Sequence, residues 1–211
     1  MDRLDLFTPL HKGLRAAMFG AVCAVARADF RDESESRAAL AAVTDLLAFL
    51  AEQAAHADAV LWPEIAAAGP ELGASLRSDR ARVAGVETKC ADLVERIAEA
   101  SGVARLALAR RLHASLALLC AELLVHMDRL ETQGNRLLWA HRSDAELRTL
   151  ESRIVALIAP ERLGAWLALI VPSCCAPERD AILDRLRDGL PLTDFQTATR
   201  PLQALAEGAV R

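Results

Sequence analysis

The sequence predicts an all-α protein: an antiparallel, up-down four-helix bundle over residues 1–142, with short helices of a C-terminal extension over 143–211 packed on it. Composition is the first reason. Hydrophobic residues make up 53% of the chain, only 4% are aromatic, and there is no Tyr. Ala, Leu and Arg dominate, and these residues lose little side-chain entropy in a helix. Periodicity is the second reason. Apolar residues recur at helical spacing almost throughout, and no alternating strand pattern stands out. Short links then make successive long helices antiparallel neighbours. The chain of 211 residues can bury a core without staples.

The first predicted helix runs from about Leu4 to Ala28, with Leu14, Met18, Val22 and Val25 on one face. The acidic link Asp29 to Ser36 supplies cap residues for the second, which runs from about Glu35 to Ala68. Its face carries Leu46, Leu50, Gln53, Ala57, Val60 and Leu61, and Pro63 is expected to kink or end it. Gly69-Pro70 breaks the chain. The third helix, about Glu71 to Ala100, has an apolar stripe interrupted by Arg80 and Glu87. After Ser101-Gly102 the fourth, about Val103 to Leu138, places Leu112, Leu116, Leu119, Leu123, His126 and Leu130 on its apolar side. Beyond Trp139 the pieces shorten. Ser143 and Glu146 form a capping-box pattern for a helix to about Ala159, another starts at Pro160, and Pro172, Pro177 and Pro191 punctuate the rest.

Several classes of function are excluded at this level. A net charge of −4 with Arg scattered among acids offers no nucleic-acid footprint. No segment resembles a signal peptide, and none reaches the ~18 uninterrupted apolar residues of a membrane span, so a cytoplasmic protein without a membrane partner is expected. The five cysteines form an odd set: Cys23, Cys90 and Cys120 read as small buried hydrophobes, and Cys174-Cys175 is an adjacent pair that does not suggest a bridge.

The informative residues are polar ones inside the apolar stripes. His11, Gln53, Arg80 and His126 can fall at one height, one from each long helix, with Ala57 and Leu130 one turn further on. Bundles build core metal sites in this way. The segments LHKGLRAAMFG, AEQAAHADAVLWPEI, LRSDRARVAGV and LLVHMDRLETQGNRLLWAHRSDAEL occur in that order, followed by SRIVALIAPERLGAWLALIVPSCCAPER. Together they resemble the bacterial hemerythrin-like (HHE cation-binding) family over nearly the whole chain. That resemblance implies a di-iron site built from a His on the first helix, H-x3-E on the second, a His on the third and H-x3-E on the fourth. Here His11 and His126 keep the ligand type. Gln53 and Ala57 replace the second helix's His and Glu, Arg80 the third helix's His, and Leu130 the last Glu. Iron needs neutral or anionic donors, and Arg has no lone pair and keeps its proton. The usual di-iron centre is therefore not expected, and no cofactor is predicted.

A lone buried Arg80 would be costly, so a partner is expected. Glu122, one turn before His126, is the simplest candidate. Glu131 and Asp58 point further from the core, and Glu87 lies two turns away, roughly 10 Å along the axis. The leading expectation is a bundle pocket reused, without metal, to bind or transform a small organic molecule. Arg80, Gln53 and Glu122 would hold the ligand, and His11 or His126 would act as general acid or base. Two other readings stay open. One is a non-catalytic regulatory or interaction bundle, in which the histidines are satisfied core residues and Arg80–Glu122 is purely structural. The other is a metalloprotein with a rearranged mononuclear site using His11, Glu122 and His126, with His56 or Glu131 as further donors. His113 and His141 are expected on the surface. Substrate, reaction and oligomeric state are not legible.

Overall fold

The computed structural model describes residues 3–208; residues 1–2 and 209–211 of the two predicted segments lie outside it. The chain is all-helical, with no strand among the described residues. Helix α1 spans Thr8–Arg27 and α2 spans Glu33–His56, started by Asp32, whose side chain accepts from the Glu35 N–H. A π-helical turn over Ala57–Leu61 joins α2 to α3, Trp62–Ala68. Helix α4 is Pro70–Glu99 and α5 is Gly102–Arg129. Gly102, with φ of 55°, takes the left-handed conformation that the tight α4–α5 link requires. A second π-helical turn, Leu130–Gly134, leads into α6, Asn135–His141. The C-terminal helices are α7 (Asp144–Val155), α8 (Pro160–Ile170), α9 (Ala176–Gly189) and α10 (Leu192–Gly208). The Ser143–Glu146 capping box forms as the sequence predicts.

Pro63 neither ends nor breaks its helix. The π turn just before it inserts an extra residue, and Pro63 then falls in the first turn of α3, where a missing N–H is tolerated. The rod Glu33–Ala68 is consequently continuous. It is long and apolar enough in composition to cross a membrane, contrary to the sequence expectation that none would be. The expectation looked for an uninterrupted apolar run, whereas this rod averages alanines and leucines over scattered charges. In the fold its Leu40, Val43, Leu46 and Leu50 are core residues.

Helix α1 packs on α2 and α5, and α4 packs on α5 and α2. Between them lie Leu14, Met18, Val43, Val83, Leu93, Ile97, Leu112, Leu116 and Leu119, each at most 1% exposed. A fully buried Leu or Val of this kind contributes ~1.5–3 kcal/mol relative to solvent exposure. Trp166 of α8 belongs to the same core, while Leu147 and Leu150 of α7 share a second one with Phe7, Trp62, Ile65 and Leu130. The C-terminal helices thus complete the cores of the long ones. Helix α10 covers α8 through Leu163, Leu167 and Ala198. Helix α9 is different. It buries no residue fully and is tied down by Lys12–Glu178, at 2.6 Å, and Arg185–Glu151, at 2.9 Å.

Among the cysteines, Cys90, Cys120 and Cys174 are buried, but Cys23 is exposed, so only two of the three expected core thiols are core residues. Cys23 falls on the outer side of α1, between the core positions Ala21 and Val25. All five are free. Burial pushes the Cys90 thiol up to about 11, so it stays protonated and behaves as a small hydrophobe.

Candidate functional site

A cavity of about 250 Å³ lies where the N-terminus of α1, the end of α2 with its π turn, and helices α7, α8 and α9 meet. Its walls are mainly apolar, with Leu6, Leu10, Leu61, Val155, Trp166 and Ile182 among them. Its polar groups are Asp5, Gln53, His56, Glu151, Ser152 and Arg185. Each wall has a local cause. The π turn begins directly after His56 and buries the small side chain of Ala57, which leaves room that a larger residue would fill. Trp166 is fixed from behind: its indole N–H donates to Glu52 at 3.1 Å, and Phe49 stands edge-on to it at 4.6 Å between ring centroids. Glu52 is in turn held by Arg162, whose guanidinium lies 4.2 Å from the Phe49 ring centroid.

The polar groups of this cavity differ in what they already bind. Asp5 is committed to the start of α1, accepting from the Phe7 and Thr8 N–H groups, and to Asn135. Burial raises its carboxyl, but these donors outweigh that and leave it below its ordinary value. Both oxygens of Glu151 accept from Arg185 Nε, at 2.9 and 3.1 Å. The side chains of Gln53 and His56, the Ser152 hydroxyl and the two terminal nitrogens of Arg185 make no hydrogen bond among the described residues. Burial lowers the His56 imidazole, against the opposing pull of the Glu52 carboxylate.

The structure divides the residue set that the sequence singled out. Gln53 lines this cavity, whereas His11, Arg80, Glu122 and His126 do not. His11, 1% exposed, meets Glu131 at 2.7 Å through Nδ1, and Glu131 also meets Arg15 at 2.8 Å. Glu131 was expected to point away from the core. The π turn over Leu130–Gly134 rotates it inward, because a turn of that type brings residues five apart into line and Glu131 is five from His126. Desolvation lowers the His11 imidazole despite the opposing pull of Glu131, and while burial raises the Glu131 carboxyl, His11 and Arg15 outweigh that and leave it below its ordinary value.

Arg80 pairs with Glu87 at 2.9 Å, not with Glu122. Two long side chains reaching toward each other span the two helical turns between them, a reach that backbone spacing alone understates. Glu122 turns instead to Arg82, at 3.4 Å. Arg82 also meets Asp79 at 2.8 Å, and Arg129 closes the network by binding both Asp79 and Ser75. The sequence reading missed Asp79, which is buried. Its signal was an acid on the inner side of α4 facing a basic residue on α5. His126 is 5% exposed, and its Nδ1 has no partner. Desolvation, followed by the positive charges of His11, Arg80 and Arg129 and opposed by Asp79, brings its pKa down to about 4. Arg80 Nη1 and Glu87 Oε1 are buried without partners as well. His56 is half-buried, and Asp58, His113 and His141 are exposed.

Among the described residues, no group of three or more His, Cys, Asp or Glu side chains is arranged to hold a metal. The alternative set His11, Glu122 and His126 does not assemble, since Glu131 occupies His11 and Glu122 faces Arg82. The Asp79 network reads as a clamp between α4 and α5. Replacing Arg129→Met should destabilise the fold by about 1–2 kcal/mol in urea unfolding. That is less than the ~3–5 kcal/mol of a severed buried pair, because Arg82 stays on Asp79. An unchanged midpoint would show the clamp to be energetically idle.

No protein-family model, curated protein or solved structure matches this chain.

Proposed function

We propose that this protein binds a small organic molecule, without metal, in the cavity between the long helices and α7–α9. The observation that carries this reading is the cavity itself: about 250 Å³, apolar-walled, with a few polar groups whose hydrogen-bonding capacity is unused. Small-molecule sites have this composition and run from roughly 300 Å³ upward, so the occupant is small. In the same reading the fold is hemerythrin-like. Helices α1, α2–α3, α4 and α5–α6 form its antiparallel up-down bundle, and His11 and His126 are what remains of its ligand set. The two π turns begin at Ala57 and Leu130, the positions where the family's carboxylates would stand. Such turns are frequent at functional sites, which favours an ancestral centre at that height. Binding has moved from that height to the neighbouring cavity, and Gln53 alone of the expected ligand-binding residues belongs to the new site. The protein acts in the cytoplasm, and no catalytic step is assigned to His11 or His126, which are buried outside the cavity.

Filling the cavity tests this. Ile182→Trp on α9 adds bulk to the wall without touching a fully buried position. Titrated with 1-octanol, the native protein should melt at higher temperature, because a ligand at a hundred times its Kd adds ~2.7 kcal/mol to stability. The Trp variant should not respond. Equal, flat responses from both proteins to neutral and charged eight-carbon ligands would overturn the assignment.

A further inference from the structure

The geometry points to a monocarboxylic acid with an apolar body of roughly eight carbons as the molecule this cavity takes, its carboxylate held by Arg185. The size follows from treating each carbon as water-sized, at ~30 Å³. This inference rests on the reading of the cavity as a binding site and adds the chemical class.

The class follows from an inventory of hydrogen bonds. Three charged residues line the cavity, and its acids are already engaged. Asp5 serves the α1 N-terminus and Asn135, and both Glu151 oxygens accept from a single nitrogen of Arg185. An ammonium ligand would have to share the Glu151 oxygens with Arg185 or turn to Asp5 Oδ2. The basic side is the reverse. Arg185 spends only Nε on Glu151, so the edge formed by its two terminal nitrogens has no partner among the described residues. That edge presents parallel N–H donors, the fork that a carboxylate accepts in bidentate fashion. Gln53 and Ser152 add further donors in the same cavity, also without partners among the described residues.

Charge limits the ligand to a monoanion. One guanidinium faces Glu151 and Asp5, so the second negative charge of a phosphate ester would add repulsion with no second cation to meet it. The position of Arg185 fits an entry role. Its side chain is 27% exposed and that of Glu151 31%, so the pair stands at the rim with the apolar walls behind it. An acid would enter tail first, with its head left at the guanidinium, and the Glu151 bond to Nε can persist while the opposite edge is occupied. Helix α9 carries Arg185 and buries no residue fully, so small adjustments of this wall disturb little packing.

The test is calorimetric titration of the full chain with octanoate, 1-octanol and octylammonium, repeated with Arg185→Met. In the native protein octanoate should bind at least ~10-fold more tightly than 1-octanol, as one charge-assisted pair at a partly exposed site provides. Octylammonium should be the weakest of the three. Arg185→Met should remove the preference for octanoate while leaving 1-octanol affinity within about twofold, which also reports that the cavity is intact. Equal affinity for octanoate and 1-octanol in the native protein, or tighter octylammonium, would overturn the carboxylate assignment while leaving the cavity a binding site. Failure of all three to bind would remove both readings together.

Discussion

Between pH 6.5 and about 4 the protein is expected to lose roughly 3 kcal/mol of folding stability through His126 alone. The unfolded chain takes up a proton on this imidazole near 6.5, while the folded protein resists until about 4. Within that window the unfolded state binds more protons, so stability falls as pH falls. The contribution is complete above 6.5 and exhausted below about 4. Its cause is burial first, and then the surrounding positive charge of His11, Arg80 and Arg129. Because the ring is 5% exposed, water does little to soften the cost of charging it. His11 is shifted the same way and adds to the slope. The lowered carboxylates Asp5 and Glu131 act later, once pH drops below their own ordinary values. Urea unfolding at pH 7.5 and pH 5 separates these contributions. The native protein should lose ~2 kcal/mol over that interval from His126, at 1.36 kcal/mol per unit below 6.5. His126→Leu, which replaces a ring with an unpartnered Nδ1 by an apolar side chain, should flatten the dependence by that amount. Identical slopes in the two proteins would show that His126 is not neutral in the folded state.

The same residues show how far sequence could lead. The helical class was legible, because a 3.6-residue period sustained through Leu112, Leu116, Leu119 and Leu123 has no strand interpretation. The helix start at Asp144 was legible as well, since Ser143 caps by local chemistry, whereas the second helix was placed from about Glu35 and starts at Glu33, capped by Asp32 within the acidic link expected to supply its cap. The π turns were not. Nothing in Ala57–Leu61 or Leu130–Gly134 marks an inserted residue, and each one rotates everything after it. That is why Pro63 was expected to kink or end a helix that continues, and why Glu131 was placed away from the core when it is the partner of His11. Arg80 was rightly expected to need an acid, but the choice of Glu122 over Glu87 compared backbone positions and neglected side-chain reach. The cavity was the least accessible feature. It joins Gln53 of α2 to Arg185 of α9, and no period or motif states that a helix carrying a residue 132 positions downstream will close over that face. Trp166, the residue that fills one wall, read only as part of a resembling tail segment.

Gly13→Val should detach the C-terminal helices from α1, at a cost of about 3 kcal/mol, the upper range for overpacking. A Cβ at Gly13 would stand 3.0 Å from the Ile170 Cα and 3.1 Å from the Leu169 carbonyl oxygen. Both neighbours are backbone, so neither can rotate aside. Alanine at this position would regain up to ~1 kcal/mol of helix propensity and lose it again to that contact, while valine adds two branches where there is no room. Helix α8 must move away, and it carries Trp166 out of the main core and opens the cavity at the same time. Thermal unfolding should shift down, tryptophan emission should shift to the red, and octanoate binding should be lost in one variant. Gly20 lies two turns further along the same helix, and an added Cβ there meets nothing within 4 Å. Gly20→Ala should therefore stabilise by about 0.5–1 kcal/mol, through the unfolded chain and helix propensity alone. Opposite signs at these two glycines would establish that the α1–α8 approach, and not the helicity of α1, holds the cavity shut. A Gly13→Val protein that melts and binds like the native one would mean that α8 does not sit on α1 in solution.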